Sequence, residues 1–214
     1  SYPVSEVKDT WKAGGMPFNQ RLRDKSHHWG RQDGLGCLVP DAIAASLTGH
    51  VFLCPDMVGG GSWIDFVNGK PLDEELIVRF AQASALFPAM QFSVAPWRIL
   101  SPENAAFVRA TQDLHVELGD YIASEVERAA HDGEPIMRPL CYDFPGEGYD
   151  DVTDEFLLGR DVLVAPVLEK GAVTRHVRFP SGTWVSRDCG RFTGPCEADV
   201  PAPLGVLPWF RRAE

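Results

Sequence analysis

Asp24 stands in the run RLRDKSHHWGRQDGL (residues 21–35), with Arg21, Arg23 and Lys25 around it and two histidines and a tryptophan behind it. A carboxylate in that company can form a solvated ion pair, contributing roughly 0–1 kcal/mol, or it can handle a proton. A second carboxylate, Asp56, follows an apolar run and precedes three glycines in CPDMVGGG (54–61). It either caps local backbone amides or belongs to a loop whose backbone passes close to a ligand. The glycines are not read as a phosphate cradle, because no GK[ST] follows them and the loop runs on into SWIDF. Adjacent histidines, His27 and His28, point apart in any regular structure, and neither HExxH nor CxxC accompanies them, so no metal is expected. A Ser–His–Asp arrangement is not expected either, because the chain has no G-x-S-x-G elbow. What remains is paired-carboxylate chemistry on a sugar, where one acid protonates the leaving oxygen and a second acts at the anomeric carbon. Aromatic side chains usually floor such pockets. Trp29, Trp63 and Trp97 are candidates, and HHWG and APWR place Trp29 and Trp97 in polar, loop-like settings.

These residues need elements to position them. LVPDAIAASLTG (38–49) has helical spacing, a proline near its start and Gly49 at its stop. HVFLCPD (50–56) reads as a short buried strand that delivers Asp56. PLDEELIVRFAQASALF (71–87) puts acids in its first turn and apolar residues at three- and four-residue spacing, which predicts a helix. PAMQFS (88–93) reads as another brief strand, and residues 103–133 as a long amphipathic helix with a break near Gly119. Alternating strands and helices predict parallel strands with crossover helices, and chemistry in such folds gathers at the carboxyl ends of the strands. Asp24, Asp56 and the Gln91–Ser93 segment each fall at or beside such an end. Beyond EPIMRPLCYDFP the rhythm changes to short β-rich runs, 161–168, 174–180, 182–187 and 204–212, punctuated by Gly, Pro and Asp, as in an antiparallel sandwich. The expected division is residues 1–145 and residues 146–214.

Composition narrows the partners. Twenty basic against thirty acidic residues give a formal net charge of −10, and no basic stripe alternates with aromatics, so neither nucleic acid nor an anionic membrane is an expected partner. No apolar run approaches the roughly 18 residues of a membrane span. The start, SYPVSEVKDTW, has no signal pattern and reads as a cut inside a longer protein. Five cysteines follow no metal-ligand spacing. Cys37 and Cys54 are expected to be buried, while Cys189 and Cys196 could pair across a turn. With no Asn-x-Ser/Thr acceptor, the balance favours a reducing cytoplasm.

The chain resembles the C-terminal part of a glycoside hydrolase family 31 catalytic module, in its myogenesis-regulating glycosidase branch. RLRDKSHHWGRQDGL, LTGHVFLCPDMVGGG, DEELIVRFAQASALFPAMQFSVAPWR, GEPIMRPL and FLLGRDVLVAPVLEKGA carry the resemblance, in family order. It implies an α/β fold, the last strands (about six to eight) of a (β/α)8 TIM barrel followed by a β-sandwich domain, and hydrolysis of terminal α-linked sugars without a cofactor. It assigns Asp24, five residues before Trp29, as general acid/base, and Trp29, Asp56, Gln91, Ser93, Trp97 and Lys8 as substrate-binding residues.

Three departures from the family pattern stand out. Arg23 replaces the usual Gly before the acid. Gln91-Phe92-Ser93 replaces the Arg-x-His of α-glucosidases, which fits α-galactoside preference. Lys8 stands where a sugar-binding Arg is usual and cannot make its bidentate contact. The resemblance also places the nucleophilic Asp on an earlier strand, upstream of these residues. The expected partners are therefore a glycoside or oligosaccharide and the N-terminal remainder of the same catalytic domain, and the chain alone is expected to be inactive. The alternative is a non-catalytic carbohydrate-binding or scaffolding remnant.

Overall fold

A computed structural model describes residues 6–8, 19–67 and 71–213; the side chains of 6–8, Trp63 and Val67 are outside the description. The first part is a three-stranded parallel sheet with helices packed on it. β1 (Glu6–Lys8), β2 (Asn19–Arg21) and β3 (Leu53–Cys54) lie in that order, in the registers Val7↔Gln20 and Gln20↔Leu53. Between β2 and β3 runs α1 (Leu38–Leu47), and Gly49 follows it at φ 92°, a left-handed stop that costs glycine little. The segment expected as a further strand, 88–93, is not one: it contributes a single parallel bridge, Met57↔Gln91, together with Ala89 N–H on the Leu53 carbonyl at 2.8 Å. A strand is defined by its neighbours, and among the described residues Gln91 lies on the ladder's last rung.

After the glycines come the short α2 (Trp63–Val67) and then α3 (Glu74–Ala85). Asp73 caps α3, its carboxylate accepting the Leu76 N–H at 3.2 Å, and Glu74 and Glu75 favour the positive end of the helix dipole. Every residue of α3 from Leu76 to Ala85 is buried, because the helix lies between the parallel sheet and the second part of the chain. The long helix predicted for 103–133 is two, α4 (Pro102–Glu117) and α5 (Gly119–Asp132), parted at Leu118–Gly119 as the sequence suggests.

The second part is one six-stranded antiparallel sheet in the order β4-β5-β6-β9-β7-β8. Its strands are β4 (Met137–Arg138), β5 (Phe156–Leu158), β6 (Val162–Val164), β7 (Thr174–Ser186), β8 (Gly190–Pro201) and β9 (Trp209–Ala213), with the single-turn α6 (Leu140–Asp143) after β4. The sheet takes β4 from ahead of residue 145. The runs 174–180 and 182–187 are one strand, β7, kinked by a bulge at Ser181/Gly182, where Gly182 has φ 128°. β5 and β6 are apolar without alternation because both faces are covered. Phe156, Leu158, Val162 and Val164 join the core under α3, while Leu157 and Leu163 join a second core with Phe179, Trp184 and Phe210. In that second core Phe179 stacks on Phe192 at 4.3 Å and meets Phe210 edge-on at 4.8 Å.

Arg79 of α3 joins the two parts. It is 1% exposed, and its guanidinium donates to the carbonyls of Ala172 (2.9 Å), Ala202 (2.7 Å), Pro203 (3.4 Å) and Val206 (3.2 Å), and to Gln82 Oε1. Burial lowers its pKa from the ordinary guanidinium value. All five cysteines are free thiols, Cys189 and Cys196 included.

Candidate active site

The site lies where β2 and β3 end. Arg21 closes β2, and two residues of loop carry the chain to Asp24; β3 is followed at once by Pro55 and Asp56. Parallel neighbours in register bring these two ends together. Arg21 Nη1 donates to Asp24 Oδ1 at 2.9 Å and to Asp56 Oδ1 at 2.6 Å, so one guanidinium ties both carboxylates. Burial works against the Arg21 cation, but its bonds to Asp24 and Asp56 outweigh that and hold its pKa above the ordinary value. Asp56 is buried and spends its other oxygen on the Lys25 backbone N–H at 2.7 Å. The Asp24 side chain, in contrast, is 67% exposed and faces a cleft of about 550 Å³ walled by Asp56, His27, Asp65 and Ser93.

The three glycines let the β3 loop lie against the Asp24 loop. Gly60, at φ +60°, sits where a Cβ would be 2.9 Å from the Ser26 carbonyl and 3.0 Å from that of Lys25. The Gly61 N–H donates to the Lys25 carbonyl, and His27 Nδ1 donates to the Gly59 carbonyl at 2.8 Å. The two histidines do point apart. His27 packs edge-on against Phe66, while His28 Nε2 donates to Asp33 at 2.9 Å and its Nδ1 accepts the Gly30 N–H. Among the described residues no cluster of His, Cys, Asp and Glu could hold a metal.

The residues singled out in the sequence are distributed as follows. Asp24, Asp56 and Ser93 share the cleft. Gln91 lies beside it, its carbonyl accepting the Val58 N–H at 2.8 Å, but is not part of the wall. Trp97 is 74% exposed in the short 3₁₀ turn Pro96–Arg98 and does not line the cleft. Trp29 lines a different hollow of about 580 Å³, between the Asp24 loop and the β domain, with Asp154, Arg175 and His176 opposite. Its indole N–H is committed to Asp73 at 3.0 Å. The side chains of Lys8 and Trp63 lie outside the described residues. Among the residues that the sequence did not place in the site are His27 and Asp65 of the cleft wall, the latter signalled only by its spacing from the glycines, and Arg21, one of three possible surface partners of Asp24 in the sequence.

Residues 133–214 match the family described as glycosyl hydrolase family 31 C-terminal domain. Over 220 residues the chain is 34% identical to the myogenesis-regulating glycosidase of Mus musculus, covering 99% of this chain and 31% of that protein. It is 31% identical over 199 residues to a sulfoquinovosidase of Escherichia coli strain K12, covering 89% of this chain and 29% of that one. Among solved structures, a family 31 sulfoquinovosidase from E. rectale in complex with an aza-sugar inhibitor superposes with a TM-score of 0.79 at 26% identity, over 91% of this chain and 30% of that one. The chain therefore spans less than a third of the length of these relatives. Its parallel strands, the helices on them and the antiparallel domain that follows are the C-terminal portion of a (β/α)8 barrel with its β domain, and the chain belongs to glycoside hydrolase family 31.

Proposed function

We propose that the chain is part of a retaining, exo-acting α-glycosidase in which Asp24 is the general acid/base. The observation that carries this reading is the convergence of Asp24 and Asp56 at adjacent parallel strand ends, one exposed to the cleft and the other buried behind it. Asp24 protonates the leaving oxygen and then takes a proton from the incoming water. The nucleophilic carboxylate comes from outside these residues, and retention calls for about 5–5.5 Å between the two carboxyl groups. Residues 1–145 supply the catalytic wall and residues 146–214 brace it, with β4 strapping one to the other. Alone, the 214 residues turn over no aryl α-glycoside. Ser93 and Gln91 set the choice of sugar, with α-galactosides favoured over α-glucosides, since a site that hydrogen-bonds one hydroxyl rejects its epimer.

The test is Asp24→Asn in a chain carrying the whole catalytic module. Losing general acid catalysis costs about 10²–10⁴-fold on a substrate with a poor leaving group, while an activated aryl glycoside is cleaved in the first step without help. Near-normal turnover of a disaccharide by the variant refutes the assignment. The ion pair with Arg21 favours the second reading, a non-catalytic carbohydrate-binding or scaffolding remnant. Under that reading the substitution changes sugar binding and no hydrolysis is found with or without it.

A further inference from the structure

The sequence departs from the family pattern at Arg23, and the structure gives that residue and its neighbour Lys25 a common partner. Asp41, in the first turn of α1, accepts from Arg23 Nε at 2.9 Å and from Lys25 Nζ at 3.1 Å. Arg23 also reaches the Gln32 carbonyl. The Lys25 side chain is wholly buried, although the charge run it belongs to would ordinarily be solvated. Its ammonium makes a second bond, to the Arg23 carbonyl at 2.8 Å. That carbonyl belongs to the peptide plane immediately before Asp24. The plane immediately after Asp24 is held by the Lys25 N–H on Asp56 at 2.7 Å. Both peptide planes flanking Asp24 are thus fixed, one by a buried ammonium and one by a buried carboxylate, so its backbone dihedrals are set before any ligand arrives. Burial works against the Asp41 charge, yet its bonds to Arg23 and Lys25 win and hold its carboxyl below the usual range.

We propose that Lys25 and Asp41 are positioning residues that aim the Asp24 carboxyl, with Arg23 as the outer arm of the same clamp. This rests on the reading of Asp24 as general acid/base. It follows that the clamp acts on the proton-transfer step and not on sugar binding. A small error in aim then lowers kcat/KM by roughly 10- to 100-fold wherever protonation of the leaving group limits the first step, and leaves kcat/KM untouched for leaving groups that need no proton.

The test uses a chain with the whole catalytic module and a series of aryl α-glycosides whose leaving groups span a range of acidity. Lys25→Met removes the ammonium, keeps the packing volume, and leaves Asp41 paired with Arg23, so no buried charge is stranded. The expected result is a kcat/KM, which reports the first step alone, that falls selectively for poor leaving groups and stays within about twofold of wild type for activated ones, giving the same steepened leaving-group dependence that Asp24→Asn shows more strongly. Arg23→Met, on a half-exposed arm, gives a weaker effect of the same form. A loss that is uniform across leaving groups, or no loss, while Asp24→Asn remains selective, overturns the clamp and leaves the assignment of Asp24 standing. If Lys25→Met does not fold, an unchanged leaving-group dependence in Arg23→Met overturns it instead. Absence of any selectivity in Asp24→Asn removes the assignment, and the clamp with it.

Discussion

Glu155 opens β5's approach to the core and has no exposed surface at all. Its oxygens accept the Arg178 backbone N–H at 3.3 and 3.2 Å, and the Arg175 guanidinium stands 3.5 Å away. Burial dominates these attractions and, with Asp154 adding to it, raises the Glu155 pKa from 4.5 to about 7. The unfolded chain ionises near 4.5, so between that value and about 7 the folded protein holds a proton that the unfolded chain has lost. Stability from this group is therefore complete below pH 4.5 and falls as pH rises through the window. At 1.36 kcal/mol per unit, the fall totals about 3 kcal/mol.

Glu155→Gln keeps an acceptor for the Arg178 N–H and cannot titrate. Urea unfolding of both proteins at half-unit steps from pH 4 to 8 isolates the effect, since every other group cancels in the difference. Wild type should lose about 3 kcal/mol relative to the variant between pH 4.5 and 7.5 and change little on either side. A difference that stays constant with pH refutes the reasoning, because it would mean that Arg175 and Arg178 keep the carboxylate ionised in the fold.

Gly60→Ala should cost more than Gly146→Ala, although both glycines have left-handed φ, +60° and +80°. Only Gly60 has carbonyls within 3.0 Å of the new Cβ, so the excess in a urea titration measures the packing of the two loops, and equal costs would show that they do not touch. His176 donates to Asp199 at 2.9 Å and Glu197 at 3.1 Å, and these bonds raise its pKa above 6.5. Its contribution is present in full below pH 6.5 and disappears as pH rises through the folded value, so His176→Gln should cost stability at pH 5.5 and nothing at pH 8.5. An imidazole that titrates at or below 6.5 by NMR would contradict this.

Much of the architecture is legible because it is written locally. Asp73 and two acids start α3, Gly49 stops α1, and Leu118–Gly119 parts α4 from α5. Asp56 could be placed at a strand end from the apolar run before it, whereas the strand ahead of Asp24 is the polar Asn19–Arg21 and carries no such signal. Other features depend on distant partners. Nothing near Lys25 in the sequence marks it as buried, since Asp41 lies on the next helix. PAMQFS has strand-like residues but only one bridge to hold it. β8 was hidden because its residues are mostly exposed and include Gly194 and Pro195, which read as a turn, whereas β7 supplies a partner for nearly every one of them. Trp29 lies in a polar run, yet Asp73, capping a helix 44 residues away, turns its indole aside from Asp24.

Arg79 bears on how such a protein can be divided. The matched C-terminal domain begins at residue 133, and a cut there yields what sequence comparison treats as a module. Yet the loops around Ala172 and Ala202–Val206 direct four backbone carbonyls at a guanidinium that stays on the other side of the cut. The excised half would present those oxygens, and the apolar bed of α3, to water. The β domain is therefore not a cassette that can be moved between barrels at will. A chimera built from it must bring an arginine at the matching turn of the facing helix, or re-solvate a seam that evolved dry.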